Sequence, residues 1–280
     1  MTAFKIARRT MILTTSMLGL ALAQGAAISG PISRNGRDNL APAGGAQVAN
    51  PASHPQSTLS PQERADIYMA RKSYADAVDF YNRALKEPGI SPADSATIWN
   101  KLGIAFQQQV NFGAARKAYA MAIHLHGDFS EPWNNLGTTF FLENKFKKSL
   151  KYYRRALKLN PDSASFHMNY GTAFYRMKKF KEAVDEYRAA LTLDPSILYD
   201  RATNGTVMET RGADANFYFY LAKTFAILGR PDEAVRYLRR AMEEGFKDHR
   251  RLKEDPDIKK ISEYPAYVEL MKNPPVSIKE

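Results

Sequence analysis

The sequence predicts an all-α protein built by stacking one helix pair end to end. Two observations carry this expectation. A pattern of large, small and aromatic residues returns every 34 residues through the middle of the chain, three times without a gap. From Ala96 it reads Trp99, Leu102, Gly103, Phe106, Ala115, Tyr119 and Ala122; from Ser130 it reads Trp133, Leu136, Gly137, Phe140, Ser149, Tyr153, Ala156 and Pro161; and from Ala164 it reads His167, Tyr170, Gly171, Phe174, Ala183, Tyr187, Ala190 and Pro195. With 44% hydrophobic and 25% charged residues, the composition is that of an ordinary soluble chain, so one elongated domain is the economical reading.

Each position has a physical reason. Gly103, Gly137 and Gly171 fall midway along the first helix of a pair, where a side chain would hold the second helix too far away. Ala115, Ser149 and Ala183 are the small partners expected on the second helix. The large residues fill the space on either side, one stripe against the partner helix and another against the next repeat. Pro161 and Pro195 cannot continue a helix and mark its end. These residues resemble the tetratricopeptide repeat, two antiparallel helices per period. The resemblance implies a right-handed superhelical solenoid whose first helices line a concave, peptide-binding groove.

Weaker copies flank the three good ones. Ala65, Tyr68, Tyr74, Ala77, Tyr81 and Ala84 match from Thr58, and Ser60-Pro61-Gln62-Glu63 supplies an N-cap, a first-turn proline and a capping-box acid. About four extra residues around Pro88 to Pro92 separate this copy from the next. Leu221, Ala222, Phe225, Ala234, Leu238 and Ala241 match from Ala215, with alanine replacing the glycine. The array is therefore expected over 58–248, as repeats near 58–95, 96–129, 130–163, 164–197 and 215–248. Five copies exceed the roughly three that a stable stack needs. Residues 198–214 are an insert, in which Asn204-Gly205 between two β-prone runs predicts a hairpin; a plain surface loop is the alternative. Over 249–280, prolines after Asp255 and Tyr264 and the stripe Ile258, Ile261, Tyr264, Tyr267, Leu270 and Met271 predict a helical cap on the last repeat.

The N-terminus reads as an address. Lys5, Arg8 and Arg9 precede the apolar stretch Met11 to Ala23, and Ala21-Leu22-Ala23 forms an A-x-A cleavage site before Gln24, so 1–23 is expected to be a signal peptide and the mature chain periplasmic or secreted. The stretch is too short for the roughly 30 Å hydrocarbon core of a bilayer. Residues 24–57 are rich in Gly, Ala, Pro, Ser, Asn and Gln and nearly devoid of large apolar side chains, the composition of a disordered tether. The absence of cysteine excludes disulfides and thiolate metal sites.

No phosphate-binding loop, dinucleotide fingerprint, hydrolase elbow or zinc-protease motif is present, so neither enzyme activity, cofactor nor metal is expected. His124 and His126 point in different directions at a helix end, and His167 stands where other repeats carry tryptophan. Carried over residue by residue, the resemblance puts Asn100, Lys101, Gln107 and Gln108, then Asn134, Asn135, Thr138 and Phe141, then Asn169, Thr172, Tyr175 and Arg176, then Asn216, Phe219, Tyr220 and Lys223 in the groove. A chaperone-tail clamp is not expected, because Asn100, Ile104, Ser165 and Asn169 stand where its other residues would be and only Asn135 fits. A basic run, Lys145, Lys147, Lys148, Lys151, Arg154, Arg155 and Lys158, carries part of the net charge of +11 and forms either a solvated helix face or a surface for acidic partners, lipid or polymer. Nucleic acid is disfavoured by the export signal. The expectation is a noncatalytic adaptor that holds another protein or a peptide segment, the alternative being an accessory protein that binds carbohydrate or cell-wall polymer.

Overall fold

The computed structural model describes residues 59–198 and 214–278. The leader, the tether and nearly all of the insert, with its Asn204-Gly205 hairpin, lie outside the described residues. Among the described residues every regular element is helical. The order is α1 (Pro61–Ala70), α2 (Tyr74–Ala84), α3 (Pro92–Gln108), α4 (Phe112–Leu125), α5 (Ser130–Leu142), α6 (Phe146–Leu159), α7 (Ala164–Arg176), α8 (Phe180–Leu193), α9 (Ala215–Ile227), α10 (Pro231–Glu243), α11 (His249–Glu254), a short 3-10 turn (Ile258–Ile261) and α12 (Pro265–Lys272).

The first ten helices form five consecutive pairs, each packed internally and against the next. The turn within each pair has one geometry. Lys72, Val110, Asn144, Lys178 and Gly229 occupy the same repeat position, and all five adopt φ between 59° and 68°. The amide after each reaches back to the carbonyl five residues earlier, from Ser73 to Tyr68, Asn111 to Phe106, Lys145 to Phe140, Lys179 to Phe174 and Arg230 to Phe225. This left-handed C-cap satisfies carbonyls that the helix end would orphan. The capping box at Ser60 forms as expected, with Glu63 N–H donating to Ser60 Oγ and Ser60 N–H to the Glu63 carboxylate. The extra residues before the second pair supply the N-cap Ser91 and the first turn of α3, which is 17 residues long against 13 for α5 and α7.

The helix-helix contact corrects one expectation. What the central glycines face most closely is not the small residue of the second helix but its tyrosine. A Cβ on Gly103 would lie 2.4 Å from the Tyr119 ring, and one on Gly137 or Gly171 would lie 2.8 Å from Tyr153 or Tyr187. All three rings are fully buried. In the fifth pair both partners change, to Ala222 and Leu238.

First helices of successive pairs touch, α3 with α5 and α5 with α7, while no comparable contact links the second helices. Over these pairs the stack therefore curves toward the first helices, and α3, α5 and α7 line its inner face. The tail closes the far end. Leu252, Ile258, Ile261, Tyr267 and Leu270 are buried in the core of the last pair, and Tyr267 Oη donates to the Leu252 carbonyl at 2.7 Å. Pro265 opens α12 as expected, whereas Pro256 leads into the 3-10 turn rather than an α-helix.

Candidate interaction groove and basic face

The inner face is organised by a ladder of side-chain amides. Asn169 Nδ2 donates to Asn134 Oδ1 at 2.9 Å, Asn134 Nδ2 to Asn135 Oδ1 at 3.2 Å, and Asn135 Nδ2 to Asn100 Oδ1 at 2.9 Å. The ladder joins α7, α5 and α3. Asn100, Asn134 and Asn169 are buried, and only Asn135 is partly accessible. At the N-terminal end an ion pair joins α1 to α3, Lys101 Nζ donating to Asp66 at 2.6 Å. Asp66 also accepts from Tyr81 Oη.

Other expected groove residues are tied into the fold in the same way. Thr138 shares a hydrogen bond with Tyr153, and Thr172 accepts one from Tyr187 at 3.5 Å. Gln107 accepts from Tyr119, and Phe141 is buried against Phe146. Tyr175 is buried and donates to Asp214, the N-cap of α9; burial first, and then this carboxylate, raise its pKa. The fifth-pair residues are covered by the tail. Phe219 stacks on Phe246 with Arg251 over it, Tyr220 accepts from Arg251, and Lys223 pairs with Asp255 at 2.9 Å and Asp257 at 3.4 Å.

Gln108, Arg176 and Asn216 remain exposed, with Ile104, Asn135 and Leu142 half-buried between them. Helical spacing puts Lys101, Ile104 and Gln108 in one row on α3, Asn135, Thr138 and Leu142 in the same row on α5, and Asn169, Thr172 and Arg176 on α7. Arg176 makes no salt bridge among the described residues, and its guanidinium rests 5.2 Å from the Phe146 ring centroid. The groove thus has a floor closed by hydrogen bonds and an accessible row at the last turn of each first helix.

The basic run lies elsewhere. Lys147, Lys148, Lys151, Arg154, Arg155 and Lys158 are exposed on α6. The nearby carboxylate of Glu143 is engaged by Arg116 at 2.9 Å and Lys145 at 3.1 Å; burial would raise its pKa, but these donors hold it low. His167 is half-buried, with Nδ1 2.6 Å from Glu186 and Nε2 2.8 Å from the Pro161 carbonyl. With an acceptor at each nitrogen, chiefly Glu186, its pKa rises against the opposing effect of burial. Among the described residues no cluster of His, Asp or Glu could hold a metal ion, and no helix is long and apolar enough to cross a membrane.

A sequence profile described as tetratricopeptide repeat matches residues 100–157 and 134–196. No curated protein matches the chain significantly. Among solved structures, MamA from Desulfovibrio magneticus RS-1 is 13% identical with a TM-score of 0.45, covering 65% of this chain and 92% of its own. A thermophilic tetratricopeptide repeat protein from Thermus thermophilus is 16% identical with a TM-score of 0.45, covering 75% and 97%. YrrB, described as a TPR protein with an unusual peptide-binding site, is 18% identical with a TM-score of 0.42, covering 68% and 86%. The profile falls on the three most regular pairs, residues 100–196, which are tetratricopeptide repeats, and the turn geometry of those pairs is shared by all five.

Proposed function

We propose that the chain is a noncatalytic adaptor that holds a peptide segment of a partner protein along the inner face of α3, α5 and α7. The observation that carries this reading is the accessible row Gln108, Leu142 and Arg176, set above a floor whose polar groups are already hydrogen-bonded. A floor so satisfied is rigid, and binding then costs little side-chain ordering. Arg176, stacked on Phe146 and without a salt bridge among the described residues, offers a planar donor for carbonyl or carboxylate groups of the segment. The array is anchored by its own tail at the fifth pair, so the segment lies toward the first four.

Selection of peptides from a display library against the purified full chain tests this. Enriched peptides are expected to lose about tenfold or more in affinity when Gln108 and Arg176 are both changed to alanine, the range of a centrally placed arginine anchor. Failure to enrich any sequence, or normal binding by the double variant, overturns the reading.

The charged residues before Met11, the apolar stretch to Ala23 and the small residues at Ala21 and Ala23 support export and work outside the cytoplasm. Intact mass of protein recovered from the producing cell is expected to begin at Gln24; a mass that retains Met11 to Ala23 overturns cleavage and makes the protein membrane-anchored.

A further inference from the structure

Beside α6 a shallow cleft of about 470 Å³ is lined by Trp133, Lys151, Tyr152, Arg154, Arg155 and Lys158. Trp133 lies about half a turn round α5 from Asn135, so the cleft opens away from the groove. Its floor is a column of stacked groups. Arg155 lies 5.6 Å from the Trp133 ring centroid, Trp133 stacks on Tyr152 at 6.4 Å, Tyr152 on Phe140 at 5.1 Å, and Arg116 and Lys148 lie over Phe140. None of the six exposed cations of α6 makes a salt bridge among the described residues, and Glu143, the acid just before the helix, is held by Arg116 and Lys145.

We infer that this cleft is a second binding site, for an acidic peptide segment in which carboxylates flank an apolar or aromatic side chain. Three features select this occupant. The arginines and lysines lie at i, i+3, i+4 and i+7 along one face of α6, so anions spaced along an extended chain meet successive cations. Stacking on Trp133 fixes the Arg155 plane, which favours the two-point grip that a carboxylate allows. The rings form a floor and not a tip: each already carries a stacked ring or cation, so none is free to receive a nucleic-acid base or to insert among lipids. Trp133 and Tyr152 remain partly accessible at their edges, where an apolar side chain fits.

The test is fluorescence anisotropy of the full chain with a labelled peptide of aspartates flanking one phenylalanine, at physiological salt. Changing Arg154 and Arg155 together to glutamine is expected to weaken binding about tenfold or more, the loss of charge-assisted contacts. Arg155→Lys, which keeps the charge and loses the fork, is expected to fall between. Changing Lys86 and Lys181 to glutamine removes equal charge elsewhere and is expected to change little. The inference is overturned if the peptide does not bind, if the arginine variant binds normally, or if the Lys86 and Lys181 variant loses as much. It is also overturned if oligothymidylate or phosphatidylglycerol vesicles bind more tightly than the peptide.

Discussion

Val110 is the residue that least suits its place. It is β-branched, 69% exposed, and held at φ 61° in a turn where the other pairs use lysine, asparagine or glycine. The left-handed region crowds Cβ against the following carbonyl, and more so for a branched side chain. Val110→Asn is therefore expected to stabilise the chain by about 1 kcal/mol, since relief of a strained φ is of that size and no packing is lost; chemical denaturation provides the measurement. His167 gives a pH signature. Its pKa is raised in the fold, so the Glu186 contact contributes fully below the ordinary histidine pKa and is lost as pH rises through the raised value. Thermal midpoints are expected to fall over that interval in wild type, and to fall less in His167→Gln. At this scale the sequence was only partly legible. The groove asparagines were readable as polar and inward, but not as bonded to one another, because the pairing depends on the offset between repeats. The signal was nevertheless there: Asn100 with Asn135 and Asn134 with Asn169 are each 35 residues apart, one period plus one.

At the scale of the helix pair, the glycine and the tyrosine form one unit. Tyr81, Tyr153 and Tyr187 each bond a residue 15 positions earlier on the first helix, namely Asp66, Thr138 and Thr172. Gly137→Leu is expected to destabilise the array by several kcal/mol, as overpacking alone costs about 1–3 kcal/mol and even a Cβ there would lie 2.8 Å from the fully buried Tyr153 ring. A milder pair tests the coupling. Gly137→Ala with Tyr153→Leu recreates the Ala222 and Leu238 combination of the fifth pair, so the double variant is expected to be more stable than the summed single losses imply, read as a denaturant cycle. Simple additivity would mean that the two positions do not meet. The repeat period revealed that a small residue was needed at position 137, while the choice of partner depended on how deeply the second helix sits, which spacing alone does not state. The cap was legible from its stripe, but α11 was not, because His249–Glu254 is short and largely charged and is held chiefly by Leu252 and by Arg251 over Phe219 and Tyr220.

Over the whole molecule, two faces divide the chemistry. The inner face has a hydrogen-bonded floor, with its fifth-pair end closed by Lys223, Asp255 and Asp257. The outer face of α6 carries its cations over an aromatic floor. Charge on an exposed face acts mainly on encounter, so changing Lys147, Lys148 and Lys151 to glutamine is expected to lower association rates and flatten the salt dependence for acidic partners, while leaving groove affinity for neutral peptides in place; stopped-flow kinetics over a salt series reads both. The central claim is that the inner row receives the partner segment. It is tested most directly by a photoreactive peptide selected from a library free of aspartate and glutamate, so that the basic cleft stays silent, crosslinked to the full chain and mapped by mass spectrometry. The account predicts attachment around Gln108, Leu142 and Arg176. Attachment confined to α4, α6 or α8 would contradict it.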